Sequence, residues 1–268
     1  MASPQLTPRF TPSARVDEIS RDSSHYLLTI PSGKADKYRL TQLDDYALLT
    51  RRQFPHRMRE GPSPPLRINL SLSARTSSDS IPGTWGFGLW NDPFGMSLGF
   101  GGNPFRLPAL PNAVWFFGAS EENYLSFREQ GRGDPAPTNG FMAQTFRSPK
   151  FHALLILAGM MLPFSRVTTR RLLGRVIAED GIELSRDDQL VAPTDWHRYR
   201  LEWSVKRVSF EVDDVRVFES AVSPNSPLGL VIWIDNQYAA FTPEGKIGFG
   251  VLENPEPAWL EIKELEIK

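Results

Sequence analysis

The sequence predicts an all-β protein: a sandwich of two antiparallel sheets carrying one inserted helical hairpin. Three observations predict it. Residues 196–219 alternate apolar and polar side chains over three short segments, the period of half-buried strands. The 23 prolines and 20 glycines fall between short apolar segments, which suits many strands and irregular loops. Only residues 151–177 carry apolar side chains at helical spacing.

Taken in order, Met1 to Ser24 is rich in Pro, Ser, Arg and Asp and reads as an irregular arm. Residues 25–268 read as a single domain with the helical insertion near 150–178. His25 to Ile30 and Tyr46 to Thr50 are expected strands, and Phe54 to Pro65 a proline-rich connector. Leu66 to Arg75 alternates, with Leu66, Ile68, Leu70 and Leu72 on one face. Thr84 to Trp90 is an expected strand with glycines where side chains would crowd, followed by a Gly/Pro/aromatic loop, Phe94 to Pro111. Ala113 to Ala119 and Tyr124 to Arg128 read as a strand pair with Phe141 to Arg147 beside them. Phe151 to Met161 and Val167 to Ile177 are two helices broken by Pro163, with Arg170, Arg171 and Arg175 on the outer side. Strands follow near 182–184, 197–204, 207–212, 215–219, 228–235, 246–252 and 259–267. Asp213-Asp214 stands where a two-residue hairpin turn belongs, since aspartate tolerates left-handed backbone.

Composition narrows the function classes. At 268 residues the chain suits one large β-sandwich with a sizeable core. A formal net charge of -1 gives no electrostatic case for nucleic acid or an anionic membrane as partner. There is no cysteine, hence no disulfide framework and no thiolate chemistry. The N-terminus lacks the apolar core of a signal peptide, and the longest apolar run, Ala153 to Leu162, is far shorter than the roughly 20 residues that span a bilayer. A cytoplasmic protein is therefore expected, with a small-molecule ligand as its partner. Nothing in the chain gives its oligomeric state.

Residues 196–219, W-H-x-Y-x-x-x-W followed by V-x-F-x-V-D-D, resemble the late hairpin of concanavalin A-like lectins and glucanases, especially the family 16 glycoside hydrolases. Gly83 to Trp90 is similar to the G-x-W strand of those enzymes, and Ala258 to Ile267 to their closing strand. The resemblance implies a concanavalin A-like jelly roll. It also implies an E-x-D-x-E strand after the G-x-W strand, holding the two carboxyls about 5 Å apart that retaining hydrolysis uses. The strand in that place, Asn112 to Ser120, contains no carboxylate. Family-16-type hydrolysis is thus not expected.

In place of acids that strand carries Trp115 and Phe117 on one face and Val114 and Phe116 on the other. Either the concave cleft is paved for an apolar or aromatic ligand, or the strand is covered on both sides by the inserted helices. Trp233, at the end of an apolar strand, precedes Asp235, Asn236 and Tyr238. Asp235 beside tryptophans suits general acid/base work, and the same residues also suit a turn that satisfies backbone groups. Trp90 and Asp92 end the G-x-W strand in the same way. Tyr124, Gln144 and His152 are further candidates to flank the cleft. The four histidines, His25, His56, His152 and His197, have no metal-ligand spacing, and His197 reads as part of the hairpin scaffold. There is no G-x-S-x-G, no G-x-G-x-x-G and no Asp-rich calcium loop, so no metal and no cofactor are expected. Three functions stay open: a binder of an apolar or aromatic small molecule, acting as a cofactor-independent cyclase or isomerase; a glycan-binding module or divergent glycoside hydrolase; and an interaction protein without a small ligand.

Overall fold

The computed structural model describes residues 6–46, 67–92, 110–124, 126–127, 138–149, 164–185 and 191–268. Its strands are β1 (Thr7–Phe10), β2 (Arg15–Ser20), β3 (His25–Ile30), β4 (Leu40–Asp44), β5 (Arg67–Thr76), β6 (Thr84–Trp90), β7 (Ala113–Ala119), β8 (Gly140–Arg147) and β9 (Ala178–Glu183). They continue with β10 (His197–Ser204), β11 (Val208–Val212), β12 (Val215–Ser220), β13 (Gly229–Asp235), β14 (Gln237–Phe241), β15 (Ile247–Val251) and β16 (Ala258–Ile267), and among the described residues a helix, α1, covers Arg166–Val176.

Two seven-stranded antiparallel sheets form a jelly-roll sandwich. The first runs β1-β4-β13-β6-β7-β8-β9, the second β12-β11-β10-β5-β16-β3-β2, and β14-β15 is a separate ribbon. Alternation sorts each strand. Phe87 and Leu89 of β6, Val114 and Phe116 of β7 and Ile232 of β13 enter the sandwich core, where they meet Leu70, Leu72, Tyr199, Leu201, Phe210 and Leu260 of the second sheet. The hairpin at 196–219 is this core's clearest sequence imprint: Tyr199, Leu201, Trp203, Val208, Phe210 and Val212 are all buried. Asp213 and Asp214 both adopt left-handed backbone, φ 50° and 63°, as the two-residue turn requires. Asp213 also accepts from the Arg198 backbone N–H at 2.8 Å and pairs with His197 Nδ1 at 2.6 Å, so His197 belongs to the scaffold. Past that turn the pattern slips. A register shift between Phe210 and Glu211 leaves Val215 exposed and sets Phe218 opposite Phe210.

Two expectations are corrected. The segment 1–24 is not an irregular arm over its described part: β1 and β2 are edge strands, one in each sheet. Edge strands need few inward side chains. Only Val16 of β2 packs toward the core, and Pro8 is tolerated on β1 because an edge leaves N–H groups unused. Tyr124 is not in a strand but makes a single parallel bridge to Ala240. The second expected helix is present as α1, capped by Ser165 Oγ, which accepts from the Thr168 N–H at 3.2 Å. The first, 151–161, lies outside the described residues, as do the strand residues 47–50, the connector 54–65 and most of the loop 94–111. No helix among the described residues is long and apolar enough to cross a membrane.

Candidate functional site

The side of the first sheet that faces away from the second carries its own aromatic cluster. Cross-strand register fixes its rows. Arg9, Gln42, Trp233, Gly86, Phe117, Met142 and Glu183 form one, and Thr7, Asp44, Val231, Gly88, Trp115, Gln144 and Gly181 the next. Beyond the second lie Trp90, Ala113, Phe146 and Glu179; beyond the first lie Leu40, Asp235, Thr84 and Ala119. The glycines of β6 make this paving possible. A Cβ on Gly86 would stand 2.8 Å from the Trp233 ring, and one on Gly88 2.5 Å from Trp115 Cβ.

The rings form one contiguous floor. Trp115 lies 5.0 Å from Phe117, 5.6 Å from Trp233 and 5.5 Å from Trp90, with Phe117 and Trp233 5.3 Å apart, centroid to centroid. Trp115 and Trp233 are each only 8% exposed, so the floor is enclosed rather than an open platform. Part of the cover is α1 with its C-cap: Leu173 of the helix and Ile177 just past it pack onto the floor together with Phe127. The sequence placed Arg170 on the helix's outer side. It is buried instead, donating to the carbonyls of Phe241 and Ser126 at 2.7 Å each, with its guanidinium 5.5 Å above the Tyr124 ring. The helix underside meets backbone carbonyls, and a guanidinium satisfies them where a leucine would not.

Asp235 ends the floor on the Thr84 side. Its Oδ1 accepts from Thr84 Oγ1 at 2.8 Å and from the N–H groups of Gln237 and Thr84, and its Oδ2 accepts from Tyr38 OH at 3.2 Å. Trp233 Nε1 donates to Thr84 Oγ1 at 3.0 Å, tying the indole to the carboxyl through one hydroxyl. Burial raises the Asp235 pKa to about 6, against these hydrogen bonds, which favour the carboxylate. Burial first, then the neighbouring Asp235, pushes the Tyr38 phenol up, so it stays a donor.

Other candidates sort differently. Asn236 is a backbone clamp: its Oδ1 accepts from Arg39 N at 2.8 Å and its Nδ2 donates to Leu252 O and Lys37 O. Tyr238 covers β15, where a Cβ on Gly250 would come within 2.9 Å of its ring. Tyr124 is the aromatic seat of Arg170. His152 lies outside the described residues. Asp92 is buried in left-handed backbone, φ 43°, past the Trp90 end of β6, whereas Asp235 pairs with Thr84 at the other end. At about 3.4 Å per residue the two acids are on the order of 20 Å apart and cannot act as a pair. The other described acids on this face are engaged. Asp44 pairs with Arg9 at 2.6 Å, Glu179 accepts from Ser126 Oγ and the Phe127 N–H, and Glu183 from Ser185 Oγ. Among the described residues no three His, Cys, Asp or Glu side chains are placed to hold a metal ion. Tyr38 and Thr84 were missed by sequence reasoning, since a tyrosine before a strand and a threonine opening one carry no distinguishing pattern.

Fold and face together define a jelly-roll sandwich whose first sheet carries an aromatic outer face. No protein-family model matches the sequence, and no curated protein matches it at a significant level. Solved structures similar to it include the GlcNAcα1-4Gal-releasing endo-β-galactosidase of Clostridium perfringens (TM-score 0.45, 10% identity, 99% of this chain and 59% of that one). Others are a putative β-glucanase of Mycobacterium abscessus (0.43, 13%, 91% and 76%) and a legume lectin-like domain of Entamoeba histolytica (0.43, 11%, 98% and 89%). With scores below 0.5, none of these likenesses bears on what this chain binds or does.

Proposed function

We propose that the outer face of the first sheet binds a ring-bearing, largely apolar small molecule, and that Asp235 serves it as a proton donor and acceptor in a cofactor-independent cyclisation or isomerisation. The observation that supports this is the enclosed floor of Trp90, Trp115, Phe117 and Trp233 ending at a buried carboxyl. Shape and exclusion of water would do most of the work, with one acid/base of pKa near the working pH. A floor that stacks sugars is the second reading. It favours indole faces open to solvent, and Trp115 and Trp233 are not open. No two carboxyls face each other across the described floor, which speaks against retaining hydrolysis.

The test is titration with N-phenyl-1-naphthylamine, a neutral probe that fluoresces in apolar surroundings, beside laminaritetraose. The expected result is saturable probe uptake that falls at least tenfold in Trp115→Ala and is unchanged in Trp196→Ala on the opposite sheet, with melting temperatures checking that each variant folds. Laminaritetraose binding without probe uptake would replace this reading with the glycan one. The proton role is tested on whatever molecule mass spectrometry finds extracted from the purified protein: turnover by the wild type and by Asp235→Asn alike would remove it.

A further inference from the structure

The β14–β15 ribbon and the start of α1 form an exposed patch that the floor does not use. The ribbon belongs to neither large sheet. Along β15, alternation sets Ile247 and Phe249 on one face, 48% and 66% exposed, with Phe241 and Ala239 of β14 as their cross-strand neighbours. Gly248 and Gly250 lie against Tyr238 on the other face. Phe164, two residues before α1, is 82% exposed. The ribbon turn is seated on the helix. Gly245 is buried there, and a Cβ on it would stand 2.9 Å from Val167 and 3.2 Å from Arg166. Two residues span at most about 7 Å, so Ile247 and Phe164 flank that contact closely. Single exposed apolar side chains are ordinary; three gathered round one contact mark an interaction surface.

The charge of this surface says what it meets. Arg166–Val176 and Gln237–Val251 together hold five Lys or Arg and one acid, Glu244, a net of +4 on a chain whose total is -1. The whole-chain balance therefore conceals a basic patch. Arg166, Arg171, Arg175 and Lys246 are exposed, and the three arginines form no ion pair among the described residues. The arginines of the second sheet differ: Arg67, Arg200 and Arg216 are each paired with a glutamate. At about 100° per residue Thr168, Arg171 and Arg175 share one side of α1, opposite Leu173, which packs on the floor. The apolar groups project from a ribbon and a helix start and line no groove. Projecting phenylalanines and isoleucine among unpaired guanidiniums suit a surface that yields around side chains and spreads its negative charge, the headgroup layer of an anionic bilayer. A rigid protein partner needs a matching hollow for each projection.

We infer that the start of α1 and the β14–β15 ribbon dock on an anionic phospholipid surface, with Phe164, Ile247 and Phe249 entering the headgroup layer and Arg166, Arg171, Arg175 and Lys246 meeting its phosphates. Each cation near such a surface strengthens binding roughly fivefold. The docking does not depend on the ligand reading, although it sets the helix that covers the floor against a phase in which apolar molecules concentrate. The test is co-sedimentation of the full chain with vesicles of phosphatidylcholine alone, or with about one third phosphatidylglycerol, in about 0.1 M NaCl. Partitioning at least tenfold stronger onto the phosphatidylglycerol vesicles is expected, and its loss in about 0.5 M NaCl. Ile247→Ser/Phe249→Ser and Arg171→Gln/Arg175→Gln should each weaken it at least fivefold at unchanged melting temperature. Arg200→Ala, which removes a cation from the second sheet, should leave it as it is. No partitioning, or partitioning that both double variants retain, would overturn the inference. So would self-association in gel filtration that Ile247→Ser/Phe249→Ser abolishes without any vesicle binding, which would give the patch to a second copy of the chain. Naphthylamine uptake without vesicles is expected in every variant, so a failure of docking and a failure of the floor reading are told apart.

Discussion

The two sheets present opposite outer faces, and both contain tryptophan. On the second sheet Trp196 and Trp259 sit among charges. The Arg75 guanidinium lies 4.9 Å from one ring and 5.5 Å from the other, and Lys263 Nζ 4.3 Å from Trp196. Around them run ion pairs, Arg75 and His25 with Glu261, Arg67 with Glu202 and Arg200 with Glu211. On the first sheet Trp90, Trp115 and Trp233 contact one another and phenylalanines, and the described charges stand at the margins. Cations over indoles are how a solvated face accommodates aromatic residues. Rings packed on rings are how a face closed to water is built. One fold thus carries a face that tolerates water and a face that excludes it.

The contrast can be tested in order of expected size. Phe116→Ala strikes the sandwich core behind the floor and should cost about 3–5 kcal/mol in denaturant unfolding, the same core that both faces depend on. Asp235→Asn acts next. Because folding raises this pKa from 3.8 to about 6, the folded state holds a proton that the unfolded chain releases between those values. Wild-type stability should therefore fall as pH rises through that window, by up to roughly 3 kcal/mol, since each tenfold difference in proton affinity is worth about 1.4 kcal/mol. Melting at pH 4, 6 and 8 should show that slope in the wild type and a flatter, more stable profile in Asp235→Asn. Arg170→Met leaves two buried carbonyls unpaired and should cost about 2 kcal/mol, with faster amide exchange confined to α1 and its neighbours. Arg200→Ala, on the solvated face, removes a partly exposed pair with Glu211 and should change stability by less than about 1 kcal/mol.

How far the sequence disclosed this depends on how much of each element faces a core. Thr84 to Trp90 and Ala113 to Ala119 were placed to the residue because the first alternates large apolar side chains with threonine and glycine and the second is an unbroken short apolar run. The strands missed were those without either pattern. In β4 every residue is buried, yet Thr41, Gln42 and Asp44 are polar, because they bond to Thr29 O, to one another and to Arg9 instead of packing. The floor itself was legible, since Trp115 and Phe117 alternate with Val114 and Phe116. The acid site was legible only in part. Asp235 is joined to Trp233 through Thr84, Asn236 next to it is the backbone clamp that the turn reading described, and Tyr38 reaches Asp235 from 197 residues away in sequence, where no local pattern points.

The central claim is that ligand meets one outer face and not the other. The seven tryptophans report on it directly if the protein is labelled with 5-fluorotryptophan and each fluorine resonance is assigned by single Trp→Phe replacement. Addition of N-phenyl-1-naphthylamine should shift the resonances of Trp90, Trp115 and Trp233 and leave Trp196 and Trp259 in place. Shifts confined to Trp196 and Trp259, or none at all, would contradict the account.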